Sequence, residues 1–155
     1  MIKKISAVVL AMIMMFSFAA CKGESGNKTV DLMAIKADIL KQTNTTDNIE
    51  LTAESFGYEF GIEADKVKTN ASYMLLRDIF PDKIVMVEAV DEEAAKYITE
   101  KLETHLASLK EQADGYDAKG QAIAEATTVI VKGNYIAMFY TQDREQIEEI
   151  YNSYF

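Results

Sequence analysis

One stretch limits the folds open to this chain more than any other. Between Asp91 and Tyr116, the residues Ala95, Ile98, Leu102, Leu106, Leu109, Ala113 and Tyr116 recur at steps of three and four, which places them on one stripe of an α-helix. At 1.5 Å per residue that helix is roughly 40 Å long. Asp91 can cap its start, and Glu92 and Glu93 face the positive end of its dipole. Gly115 and Gly120 bracket its end. A one-sided stripe of this length needs an extended apolar surface to lie on, and the chain on either side reads as β-structure.

Before the helix, Ser72–Asp78 and Lys83–Val90 are apolar and partly β-branched, with Pro81-Asp82 between them. Two strands joined by a turn fit best, and proline loses nothing there for want of an N–H. After the helix, Thr127–Tyr140 reads as a hairpin around Lys132-Gly133-Asn134, whose Gly and Asn tolerate positive φ. Its strands are apolar on both alternating faces and are expected to be central. Asp31 can cap a first helix through Gln42, on Leu32, Ile35, Ile39 and Leu40. Asn44–Asn48 breaks it with turn formers. Thr52 opens a short segment in which Phe56, Tyr58 and Phe60 alternate; the capping threonine and Gly61 favour a helix over a strand. A last helix runs from about Gln142 to Phe155 on Ile147, Ile150, Tyr151 and Tyr154. The pattern predicts a small α+β domain: a four-stranded, mainly antiparallel sheet of two hairpins against one long helix, with short N-terminal helices and a C-terminal one.

The first residues follow another logic. Lys3 and Lys4 precede an apolar run, Ile5–Phe18, that leads through Ala19 and Ala20 to Cys21, the only cysteine. This is the tripartite pattern of an export signal, and it is short for the roughly 20 apolar residues of a membrane span. Phe18-Ala19-Ala20-Cys21 resembles the lipobox of bacterial lipoproteins, with Phe18 where that family usually has Leu. The resemblance implies a diacylglyceryl thioether on Cys21, with cleavage after Ala20. Two acyl chains hold a protein stably where one does not, at about 0.8 kcal/mol per buried CH₂. An acylated Cys21 leaves no thiol for a disulfide, so stability must come from a core. Lys22–Thr29 reads as a flexible tether spanning roughly 15–18 Å. The expected divisions are a signal peptide at 1–20, the lipidated cysteine and tether at 21–30, and one globular domain at 31–155. The expected location is the outer face of the cell membrane of a Gram-positive bacterium.

Charge narrows the partners. The chain carries −9, and without Lys3 and Lys4 it has 14 basic against 25 acidic side chains, a net of −11. Such a surface repels nucleic-acid phosphate and anionic headgroups alike. Membrane contact is expected through the lipid, with an envelope protein as a candidate partner.

Few residues carry recognisable chemistry. His105, the only histidine, sits on the shoulder of the long helix with no second imidazole and no HExxH spacing; a packed or half-exposed role is expected. No catalytic residue, metal site or cofactor is assigned. Acids are numerous, so a carboxylate pair of the glycosidase kind stays open, with solvated charge the simpler account. Phe56, Tyr58, Phe60, Tyr151, Tyr154 and Phe155 suggest either a peptide-binding patch or core. The chain is too short for a two-lobed solute-binding protein.

From about Ile49 to Tyr154 the arrangement resembles clostridial-type lipoproteins carrying the domain of unknown function DUF4358. Three places carry the resemblance: Phe60-Gly61-Ile62-Glu63, the stretch Tyr116–Gln121, and Lys132-Gly133-Asn134-Tyr135-Ile136. That family often has an acid at the start of the second strand, a place held here by Lys83. The resemblance implies an extracytoplasmic lipoprotein of unknown function and carries over no catalytic residue. The expected function is a non-enzymatic binding module; the alternative is a carboxylate-dependent hydrolase acting on cell-wall material.

Overall fold

The computed structural model describes residues 29–78 and 80–155. Among them are five α-helices and six strands: α1 (Leu32–Gln42), β1 (Ile49–Glu50), α2 (Ala53–Phe60), β2 (Val67–Asn70), β3 (Tyr73–Leu75), β4 (Asp82–Ala89), α3 (Glu92–Ala113), α4 (Ala118–Ala126), β5 (Val129–Lys132), β6 (Tyr135–Tyr140) and α5 (Arg144–Asn152). The expected α+β class holds, with six strands in place of four.

The sheet is antiparallel throughout, in the order β1-β3-β4-β6-β5, and β2 pairs with β4 beside β3. The pairs Thr69↔Glu88, Asn70↔Val87 and Tyr73↔Ile84 share one register. β2 and β3 are therefore two stretches of one line along β4. At the break between them, the Ala71 N–H donates to Met86 O at 2.9 Å, and the Met86 N–H donates to Ser72 Oγ at 3.0 Å. A bulge at Lys68 interrupts the far end of that line.

All eight residues of β4 are buried. Val85, Val87 and Ala89 point with Ile136 and Met138 of β6 into a core closed by Ile98, Leu102, Leu106 and Leu109 of α3 and by Phe56 and Phe60 of α2. Ile84 and Met86 point the other way, with Ala137 and Phe139, against Leu32, Ile35 and Ile39 of α1 and Ile147, Ile150 and Tyr151 of α5. The sheet is thus a middle layer, and α1 and α5 cover the face that the long helix leaves.

The caps follow the sequence. Asp31 accepts from Met33 N and Ala34 N, Thr52 from Ser55 N, and Asp91 from Ala94 N. Gly61 ends α2 at φ +65°. The β5–β6 turn uses positive φ at Gly133 alone of its two residues, the pattern of a type II′ hairpin.

Three expectations are corrected. The long helix stops at Ala113, and Tyr116 is 74 % exposed instead of completing the stripe; Gly115 at φ +70° turns the chain away. Gly120 does not bracket that end but lies inside α4, capped by Asp117. A Cβ there would come within 2.5 Å of Asp117 Oδ2 and 3.1 Å of the Tyr140 hydroxyl, so close packing on β6 requires glycine. Third, β6 is central but β5 is an edge strand. α3 covers its inner face only in part: none of its four residues is buried, and Val131 is 50 % exposed.

Among the described residues two buried side-chain atoms have no hydrogen-bond partner, His105 Nε2 and the Tyr151 hydroxyl, the second in the core between the sheet and α5. A buried unmade hydrogen bond costs about 1–3 kcal/mol. Tyr151→Phe is expected to raise the unfolding free energy by about 1 kcal/mol in urea titrations. An unchanged or lower value would show that the hydroxyl is satisfied in solution.

Candidate functional site

Polar chemistry gathers at the end of the sheet where β4 starts and β6 stops. Successive strand residues face opposite layers, so Asp82 and Lys83 open β4 by entering different cores. Both are nearly sealed, at 1 % and 4 % exposure. A buried charge must be paired there or neutralised.

On the α1/α5 side, Thr141 Oγ1 donates to Asp82 Oδ2 at 2.7 Å, and Arg77 Nη1 lies 3.6 Å from the same oxygen. Arg77 also donates to Asp143 Oδ2 at 2.6 Å and to Thr45 Oγ1 at 3.1 Å. One guanidinium thus links the α1–β1 turn, the β3–β4 connection and the entry to α5. Beside it, Thr45, Asp47, Asn48 and Arg77 line an open groove of about 600 Å³. Burial pushes the Asp82 carboxyl above its ordinary value; the Thr141 hydroxyl and Arg77 act against this, and Asp143 and Asp78 add to it.

On the α3 side, Lys83 Nζ sits 3.3 Å from Glu59 Oε1 and 5.8 Å from the centre of the Tyr140 ring. His105 Nε2 lies 3.8 Å from the same Glu59 oxygen, beyond hydrogen-bond reach, and is buried without a partner. Its ring stands edge-on to Phe60 at 4.8 Å. Burial lowers the affinity of His105 for a proton, the Lys83 ammonium lowers it further, and Glu59 opposes both.

His105 is therefore packed, as expected, but within a lysine–carboxylate pair that its own helix does not announce. Glu59, Arg77 and Asp82 were missed as site residues; Asp82 read only as the turn partner of Pro81. The strand's first residue is Asp82 and not Lys83, so this chain does begin that strand on an acid. The aromatic set divides: Phe56 and Phe60 lie in the α3-side core, Tyr151 in the other, and Tyr58 is 93 % exposed. It forms no single patch. Cys21, Ala19 and Ala20 lie outside the described residues. Chemically, the sheet end offers a desolvated carboxyl held by the Thr141 hydroxyl and a guanidinium whose hydrogen bonds go to Asp143 and Thr45.

These features define a small α+β domain in which an antiparallel sheet lies between helical layers and carries buried charges at one end. Residues 41–141 match the domain of unknown function DUF4358, and the chain belongs to that family. The three stretches singled out in the sequence fall inside the match: the αL end of α2, the α3–α4 connection and the β5–β6 turn. No curated protein and no solved structure matches the chain.

Two pH dependences of opposite sign follow. The folded state holds the Asp82 proton more tightly than the unfolded chain does. Stability is therefore lost as pH rises through the window above 3.8 and stays lost at neutral pH. Asp82→Asn, which can still accept from Thr141, is expected to unfold at higher urea than wild type at pH 7, with the gap closing near pH 3.8; a lower midpoint at pH 7 would refute this. For His105 the unfolded chain takes the proton first, so stability falls as pH drops below 6.5. His105→Leu is expected to flatten that part of the profile, and identical slopes between pH 8 and pH 5 would show that the imidazole does not titrate there.

Proposed function

We propose that this protein is an extracytoplasmic lipoprotein, anchored by a diacylglyceryl thioether on Cys21, whose domain is a non-enzymatic module that binds a protein or envelope partner. The observation that carries the reading is the placement of the sole cysteine: directly after Ala19-Ala20, at the end of an apolar run behind Lys3 and Lys4. Residues 1–20 would be removed as signal and 21–30 would tether the domain close to the bilayer. The DUF4358 domain at residues 41–141 is one of unknown function and is compatible with this reading. The internal pairing of the sheet-end charges supports binding over catalysis: Asp82 is engaged by Thr141, Arg77 by Asp143, and Lys83 by Glu59.

A second reading, a carboxylate-dependent hydrolase of cell-wall material, draws on one observation. Asp82 is an acid with a raised proton affinity, and Arg77 bridges it to Asp143. Its 1 % exposure speaks against direct contact with a glycan.

Metabolic labelling with an alkyne fatty acid tests the anchor. Wild type is expected to take up label and sediment with membranes, while Cys21→Ser loses both. Unlabelled wild type recovered in the soluble fraction would defeat the proposal. Crosslinking of wild type in intact envelopes is expected to trap a protein or envelope partner. If Asp82→Asn instead abolished release of sugars from purified cell wall, the hydrolase reading would replace the first.

A further inference from the structure

Away from the charged end, the two lateral edges of the sheet are treated differently. β1 is two residues long, and its Glu50 is tied to Lys36 of α1 at 2.6 Å. β5 is four residues long and pairs on one side only. Its two-residue turn closes on the pair Lys132↔Tyr135, which makes that pair and Ile130↔Ala137 the hydrogen-bonded ones. The N–H and C=O groups of Val129 and Val131 therefore point outward. Among the described residues no hydrogen bond reaches them.

Alongside this edge runs a groove of about 500 Å³, between the first half of α3 and the hairpin. Ala95 and Val131 supply its apolar floor, and Val131 is 50 % exposed. Exposed Glu92 and Glu100 flank it, with Lys96 between them. A free strand edge beside a groove that can hold alternate side chains is the arrangement by which sheets take up an extended peptide.

We propose that the β5 edge binds an extended segment of a partner protein, added as a further strand, whose α3-side face carries a branched apolar side chain between two lysines or arginines. The backbone of Val129 and Val131 would pair with the segment. Every second side chain of the segment would face the groove: Val131 and Ala95 would receive the apolar one, and Glu92 and Glu100 the basic ones two positions to either side. Charge selects this occupant over a second copy of the chain: without residues 1–20 the chain carries 14 basic against 25 acidic side chains, and a net charge of −11 repels its copy but attracts a basic segment. A four-residue edge also falls short of the roughly 800 Å² per partner of a stable dimer. The inference rests on the reading of the domain as a protein-binding module and names the surface that reading lacks.

The test uses the lipidated full chain in phosphatidylcholine nanodiscs, whose neutral lipid does not attract cations. The probe is a fluorescent, capped peptide of the repeat Lys-Thr-Val-Thr, which sets lysine and valine on one face of a strand and threonine on the other. It is expected to bind saturably and to slow amide hydrogen exchange across residues 128–132. The same peptide with glutamate in place of lysine should not bind, nor should the lysine peptide N-methylated at alternate amides. Val131→Pro removes an outward N–H where an edge strand tolerates proline, and should weaken binding about tenfold. Glu92→Lys with Glu100→Lys should weaken it several-fold, less at high salt. Binding unchanged in Val131→Pro, equal binding of the glutamate peptide, or protection elsewhere than the edge would overturn the assignment. So would concentration-dependent protection of the edge without peptide, which would make a second copy the occupant. Envelope crosslinking separates the two levels: a partner captured equally by wild type and Val131→Pro sinks the edge alone, whereas capture by neither sinks the binding reading itself.

Discussion

The domain is organised by a strand with no free face. β4 is buried along all eight residues, against α3 on one side and against α1 and α5 on the other. In such a strand alternation offers a polar side chain no route to water. Asp82 and Lys83 at its start must therefore be satisfied by whatever surrounds them. A buried charge without a partner costs far more than a pair contributes, so the partners are structurally obligatory. Arg77 and Thr141 serve Asp82, and Glu59 serves Lys83. Those three contacts bind the β3–β4 connection, the end of β6 and the last turn of α2 to the same point of the sheet. The charged end is thus a direct consequence of where the chain placed its central strand.

Elements with a local signature were legible in the sequence. α1, α2 and α3 announced themselves by caps and by apolar residues at helical spacing, and the β5–β6 turn by its glycine. α4 did not, because only Gly120 and Ala124 of its nine residues are buried, and such small residues leave no apolar period to read. β1 and β2 were missed for related reasons: two exposed residues in one, and four that are half-buried or exposed in the other. The reading of β5 as central failed on a different point. Apolar residues on both faces report burial above and below a strand, and they carry no information about whether a neighbour lies beside it.

The site was less legible than the fold, and the reason is separation along the chain. Arg77 meets Asp143 across 66 positions, and Thr141 meets Asp82 across 59. No periodicity links such residues; only the pairing of β4 with β6 and the packing of α5 bring them together. His105 shows the same limit from the other direction. Its place on the helix shoulder was readable, but the Glu59 carboxylate and Lys83 ammonium that set its proton affinity come from α2 and β4.

The open edge of β5 bears on the acidity of the chain. Exposed sheet edges invite pairing with other chains, and proteins commonly blunt them with lysine or proline. Here Lys132, the one lysine on β5, lies 4.7 Å from the centre of the Phe155 ring and 5.9 Å from that of Tyr151. It is thus drawn toward the α5 layer and away from the α3-side groove. The edge keeps its apolar Val131 and its outward amides on the side where Glu92 and Glu100 stand. With no local gatekeeper, the remaining barrier to edge-to-edge association is the charge shared by every copy. A shared net negative charge opposes pairing between like chains, whereas the basic segment proposed for this edge meets no such barrier.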